Sequence, residues 1–436
     1  MKPLPKLLVG IIAGSCLFAA NMATASDALL NTLVRKGYLT QDEAMDLRSD
    51  HAVNTQDPDS NIHLFGLMQA QYDWVNTEAK DTENPAAQNN FNMRRLYLGT
   101  KATMSDQWSA TLVADLSNEG TKKIDRAFIS YDWRPEANFR FGFAKTPFGH
   151  ENTTNVANRK RVEISPLLGF FADALMMTGR YTGIFVDGEW GEDNWLYYSG
   201  ALTNSDRNNA FETGIKSTGS TAGLINNVSD NTPAFWARVG VRGDWNDANY
   251  DLGLNAGYLR NQRQKGSNGT QDKVYGAYLA GDWHEFALNA EFMGASISNA
   301  TVNAAGTADN TTANVWGVNV VPSMRFMEDY ELVLGYSYIK AKSLGAQTGA
   351  ATEPFGVPAS KAIRRSTAAL TGVTETGYEK LHAYYIGANW YIMDNDLKLG
   401  IGYEYAKAED RVDVSATTRP NDVKIHALRA RLQFLF

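Results

Sequence analysis

The last nine residues, Leu428-Arg-Ala-Arg-Leu-Gln-Phe-Leu-Phe436, alternate apolar with mostly polar side chains and close on an aromatic. Successive side chains of an extended chain point to opposite faces. Leu428, Ala430, Leu432, Phe434 and Phe436 therefore share one face, and Arg429, Arg431 and Gln433 share the other. Such a strand fits a wall that is oily outside and charged inside, or one strand of a water-soluble sandwich. Recurrence separates the two readings.

Period-2 alternation bounded by turn residues predicts sixteen strands: Ile62–Trp74, Asn92–Met104, Gln107–Leu116, Lys123–Trp133, Asn138–Lys145, Arg180–Trp190, Trp195–Leu202, Ala234–Trp245, Tyr250–Arg260, Lys273–Trp283, Glu285–Gly294, Asn314–Phe326, Tyr330–Lys340, Tyr378–Ile392, Asp396–Ala406 and Val423–Phe436. Tight turns such as Ser105-Asp106, Asn246-Asp-Ala-Asn249 and Met327-Glu-Asp329 join every second pair. The connections between, at 75–91, 146–179, 203–233, 295–313 and 341–377, are long and mostly polar. A propeller or sandwich would space its turns more evenly. The expectation is an all-β protein, a 16-stranded antiparallel transmembrane β-barrel with short periplasmic turns and longer outer loops. Trp133, Trp190, Trp245, Trp283 and Phe326 precede short turns on the apolar parity, where aromatic rings favour the headgroup level of a membrane.

The N-terminal region supplies the compartment. Lys2 and Lys6 precede an apolar run from Leu7 to Ala20, and Ala23-Thr-Ala25 forms a small-x-small cleavage site. Residues 1–25 thus read as a signal peptide. Ala13-Gly-Ser-Cys16 offers a lipid-attachment alternative, although position 13 lacks the usual leucine. Cleavage after Ala25 removes the single cysteine, and with it disulfides, thiol catalysis and cysteine-bound metal. It also takes the net charge from −7 to −9, because Lys2 and Lys6 leave with it, which argues against a nucleic-acid partner. After Ser26 no stretch approaches the ~18 apolar residues of a spanning helix, so a closed barrel is the remaining way through a bilayer.

These features place the chain in the outer membrane of a Gram-negative bacterium, in contact with outer-membrane lipid, with the barrel-assembly machinery reading Phe436. Residues 26–60 differ from the rest. Ala28–Gly37 has helical spacing with a glycine stop, and Thr40-Gln-Asp-Glu43 reads as a capping box. A periplasmic helical segment and linker is expected there, followed by the barrel over 61–436.

Parity assigns the lumen. Arg95 and Lys101 in the second strand face inward, as do Arg126, Arg140, Arg238, Arg242, Arg325, Lys398, Arg429 and Arg431 further on. Asp115, Asp187, Asp244, Asp251, Glu291, Glu331 and Glu404 face inward by the same rule. The lumen leans cationic although the whole chain is acidic. A basic constriction favours anions; cross-lumen pairing of the two rows would instead leave only a weak preference. The connection at 146–179 combines Arg159, Lys160 and Arg161 with Leu167-Leu-Gly-Phe-Phe171 and Ala174-Leu-Met-Met177. So much apolar surface should not stand in water. Folded inward, its oily side would pack on the wall while its three cations narrow the channel; an ordinary external loop is the alternative.

Arg140-Phe-Gly-Phe-Ala-Lys-Thr-Pro-Phe-Gly-His-Glu151 resembles the G-x-F-K-x-P-F-G-x-E segment of the phosphate-selective porins O and P, and Arg94-Arg95 before Leu-Tyr-Leu-Gly99 is similar to their paired arginines. The resemblance extends over most of the chain. It implies a homotrimeric channel whose third long loop folds inward, with Arg94, Arg95, Lys145 and loop cations guiding small anions, phosphate among them. One departure is that the loop offers a single lysine, Lys160, beside two arginines, where phosphate-selective members are lysine-rich; the acidic mature chain is another.

Other classes fare less well. An enzyme would need a nucleophile, a base and an orienting group, yet the six histidines are scattered and neither G-x-S-x-G nor H-E-x-x-H occurs. An adhesin or receptor acting through long outer loops is the alternative to a porin. No cofactor is implied. The expected function is passive diffusion of small hydrophilic solutes with some anion preference.

Overall fold

The computed structural model describes residues 61–79, 86–117, 124–191, 194–205, 233–261, 270–298, 301–302, 308–309, 312–341, 357–358, 377–411 and 422–436. The expected signal peptide and helical segment, residues 1–60, lie outside them.

The long strands are β1 (Asn61–Ala79), β2 (Ala86–Thr103), β3 (Trp108–Asp115), β4 (Ile124–Arg134), β5 (Ala137–Lys145), β6 (Arg180–Trp190), β7 (Leu196–Thr203), β8 (Ala234–Trp245), β9 (Ala248–Asn261), β10 (Thr270–Trp283), β11 (Phe286–Ser298), β12 (Thr312–Phe326), β13 (Tyr330–Ala341), β14 (Gly377–Asn395), β15 (Leu397–Arg411) and β16 (Val423–Leu435). Each pairs antiparallel with its sequence neighbours. β1 also pairs with β16, from Leu67 opposite Leu435 to Ala79 opposite Val423, which closes a 16-stranded barrel. Closure leaves no sheet edge, as a bilayer requires.

Turn chemistry explains the tight end. Asn246 and Asp247 both take positive φ (48° and 64°), as a two-residue type I′ hairpin demands, and Met327 and Glu328 take positive φ (52° and 61°) in a three-residue turn between Phe326 and Tyr330. The five predicted interface aromatics lie on the outer face at this end, from 40% exposed at Phe326 to 73% at Trp245.

The connection after β5 turns into the barrel. It carries two short helices, α1 (His150–Thr153) and α2 (Pro166–Gly169), and a π-helical turn over Phe170–Ala174. α2 starts on Pro166, with Ser165 accepting from the Leu168 N–H at 3.1 Å. The two ends of the connection are tied together: Thr146 N donates to Gly179 O at 2.8 Å, and Thr178 Oγ1 to Phe148 O at 2.7 Å. Phe148, Leu167, Phe170, Phe171, Leu175 and Met177 then pack on inward apolar residues of the opposite wall, among them Trp236, Leu259, Met293, Ile297, Val315, Ile339 and Leu381. At about 1.5–3 kcal/mol per buried large side chain, this cluster offsets part of the entropy of ordering the long 146–179 connection, and the ion pairs and hydrogen bonds of its charged stretch add to it. The larger apolar core of the described residues thus lies inside the barrel, to one side, and the loop divides the lumen.

Candidate functional site

The loop's charged stretch docks on the wall. Arg161 donates to Glu404 at 2.7 Å, its side chain only 4% exposed, and stacks over the Tyr385 ring at 4.6 Å. Lys160 donates to Glu331 and Ser323, each at 2.9 Å. From the wall, Lys398 donates to the carbonyls of Ala157 (2.7 Å) and Arg159 (3.1 Å), and Asn389 to that of Lys160 (2.8 Å). Glu163 receives Arg94 and Arg431, both at 2.6 Å. Burial alone would raise the Glu163 carboxyl, but Arg94 and Arg431 together hold it well below the usual carboxylate range.

Lys160 and Arg161, expected to narrow the channel, are held in ion pairs on the wall. Their heads turn to Glu331 and Glu404, because a long cation beside a buried carboxylate gains more from pairing than from an open lumen. Arg159, the residue before them, donates to the Glu151 carbonyl at 3.4 Å.

A β-bulge explains why two consecutive arginines both reach the interior. Gln69 pairs with Arg95 and Ala70 with Met93, so Arg94 is an extra residue in β2. Arg94 takes Glu163, while Arg95 donates to Gln69 at 2.7 Å. A second bulge sits in β4, where Val113 pairs with Arg126 and Ala114 with Ile124, leaving Asp125 extra.

On the other side of the loop a cavity of about 340 Å³ remains. Arg126, Arg140, Lys145, Arg180 and Arg238 line it, against the acidic side chains Asp125 and Asp187. Arg140 pairs with Asp187 and lies 5.8 Å from the rings of both Phe128 and Phe185. Arg180 donates to Asp125 at 2.7 Å, and Lys145 to the Thr154 carbonyl at 3.0 Å. Arg126 keeps 40% of its side chain exposed beside Asp125 at 3.5 Å. Arg238 holds the loop by a 2.7 Å bond to Thr153 and lies over the Tyr278 ring at 4.6 Å. Next to it, burial and the Arg238 charge push His150 down to about 4, so its ring stacks on Tyr278 in the neutral form at neutral pH.

The predicted set therefore divides. Arg126, Arg140, Lys145 and Arg238 meet at the cavity, whereas Arg94, Arg161, Arg429 and Arg431 join the docking network with Glu163, Glu404 and Asp73. Arg242 pairs with Glu189 at 2.6 Å, Arg325 lies over Tyr391 at 4.3 Å, and Lys101 stands opposite His63; none of these three lines the cavity. Sequence reasoning missed Arg180 and Asp125. Alternation from Ile184 puts Arg180 on the lipid side, but it stands opposite Lys145 beyond Gly142, whose φ is 138°, and both turn inward. Phe143, which alternation with inward Arg140 sets on the lipid side, is buried at the same place.

No curated protein matches the chain. Solved structures match its fold. The outer membrane channel DcaP of Acinetobacter baumannii aligns with a TM-score of 0.53 at 10% identity, covering 88% of this chain and all of that one. The anion-selective porin of Comamonas acidovorans gives 0.53 at 11%, covering 86% and 100%. OmpT of Vibrio cholerae in its trimer form gives 0.50 at 10%, covering 86% and 99%. Residues 66–436 match the family described as phosphate-selective porin O and P. Closed barrel, inward-folded loop and family match agree on a channel of the Gram-negative outer membrane rather than an enzyme, and the chain belongs to the phosphate-selective porin O and P family.

Proposed function

We propose that this porin passes small hydrophilic solutes with a preference for anions, and that Arg126, Arg140, Lys145, Arg180 and Arg238 set that preference. The supporting observation is the five basic against two acidic side chains around the cavity left open by the loop. Low-dielectric walls of one sign raise the local concentration of counter-ions and lower their barrier at the narrowest point. The loop cations Lys160 and Arg161 serve this pathway indirectly, by holding the loop against the far wall. Phosphate enters as one of several small anions, because the cavity cations already share two carboxylates and no lysine cluster stands there. Export with removal of residues 1–25, recognition of Phe436 during barrel assembly and association as a homotrimer complete the proposal. The trimer form of the OmpT match supports the last point.

Planar-bilayer recording tests it. In a potassium chloride gradient the reversal potential should give a chloride over potassium permeability above one, and phosphate should reduce chloride current only at concentrations comparable to chloride. A cation-selective potential would overturn the anion reading, and a chain that gives no discrete conductance steps would favour the adhesin.

A further inference from the structure

Between the docked loop and the wall, a second space of about 10 Å³ is bounded by Arg159, Arg161, Asn389, Lys398, Arg431 and Gln433. Its size suits a single water-sized species. Its walls are strongly positive. Arg161 gives Nη2 to Glu404, but its Nε and Nη1 are buried without a hydrogen-bond partner among the described residues. Glu404 is shared between Arg161 and Arg429, Glu163 between Arg94 and Arg431, and Asp73 also takes Arg429, so three carboxylates serve four guanidinium groups. Lys398, also buried, donates to the Ala157 and Arg159 carbonyls and to Asn395. Buried donors without acceptors are costly, and a surplus of buried charge more so.

We propose that this space is a binding site for a monovalent inorganic anion of chloride size, separate from the conducting path. The anion accepts from Arg161 on the loop and faces Lys398 and Arg431 on the wall, so it bridges the two and pins the loop in its docked position. A water molecule would satisfy the Arg161 donors and leave the charge surplus in place; an anion satisfies both, through charge-assisted bonds.

Crystals of the full mature protein soaked in bromide test this by anomalous diffraction. An anomalous peak within hydrogen-bond distance of Arg161 Nε and Nη1 is expected. No peak there, or peaks confined to the protein surface and the open lumen, would overturn the site. Arg161→Lys keeps a positive charge opposite Glu404 but removes the two unpartnered donors, so its peak should vanish at the same bromide concentration. A peak of unchanged height in that variant would contradict the assignment to Arg161.

Discussion

Glu163 shows how one carboxylate fixes the position of a loop. It lies on the loop between Arg94 and Arg431, and their charges keep it ionised against the cost of burial. Its folded value lies below its unfolded one, so the stabilisation is complete above about 4.3 and is lost as pH falls through the folded value. Wild-type single-channel conductance should therefore hold steady down to about pH 5 and change only in stronger acid. Glu163→Gln should loosen docking already at neutral pH, by about 3–5 kcal/mol, since it leaves buried arginines without their partner. Larger and noisier conductance steps are the expected sign. A variant trace indistinguishable from wild type would remove Glu163 from the docking account.

At the scale of elements, the loop is held by oil as well as charge. Phe170 and Phe171 are fully buried, and truncating either to alanine should cost about 3–5 kcal/mol of loop packing. Because the barrel's hydrogen bonds do not depend on them, the heat-modifiable gel shift of the folded barrel should persist while the loop becomes open to protease. Loss of the gel shift would mean that the loop is part of the barrel's folding unit. Gly142→Ala is the contrasting case. A Cβ there would stand 2.4 Å from the Ala127 carbonyl oxygen, at a φ of 138° that other residues rarely adopt. At about 1–3 kcal/mol of backbone strain plus this clash, the yield of folded barrel should fall, read by the same gel shift.

Those two elements mark what the sequence reveals. Alternation found the strands, their order and the oily underside of the loop, because burial on one face leaves a period that survives any register. It did not find the bulges at Arg94 and Asp125, since one inserted residue reverses parity without leaving a compositional trace. Nor did it show that Lys160 and Arg161 turn to Glu331 and Glu404, a choice made by wall acids more than 160 positions away. Arg180 was hidden for another reason, the unusual backbone at Gly142 opposite its strand, which alternation does not reveal.

For the whole molecule, an acidic chain carries a cationic path because the loop sorts its charges into two compartments. On the docked side the carboxylates are taken up in pairs with arginines that hold the loop; on the open side five basic side chains face two acidic ones along the path. The most direct test compares two sets of substitutions by reversal potential in one salt gradient: Arg126→Gln with Arg140→Gln on the open wall, and Lys160→Gln with Arg161→Gln on the loop. The account predicts that the wall pair moves chloride selectivity towards one at little change in conductance, while the loop pair raises conductance with a smaller change in selectivity. If the loop pair abolishes selectivity and the wall pair leaves it intact, the division of labour described above is wrong.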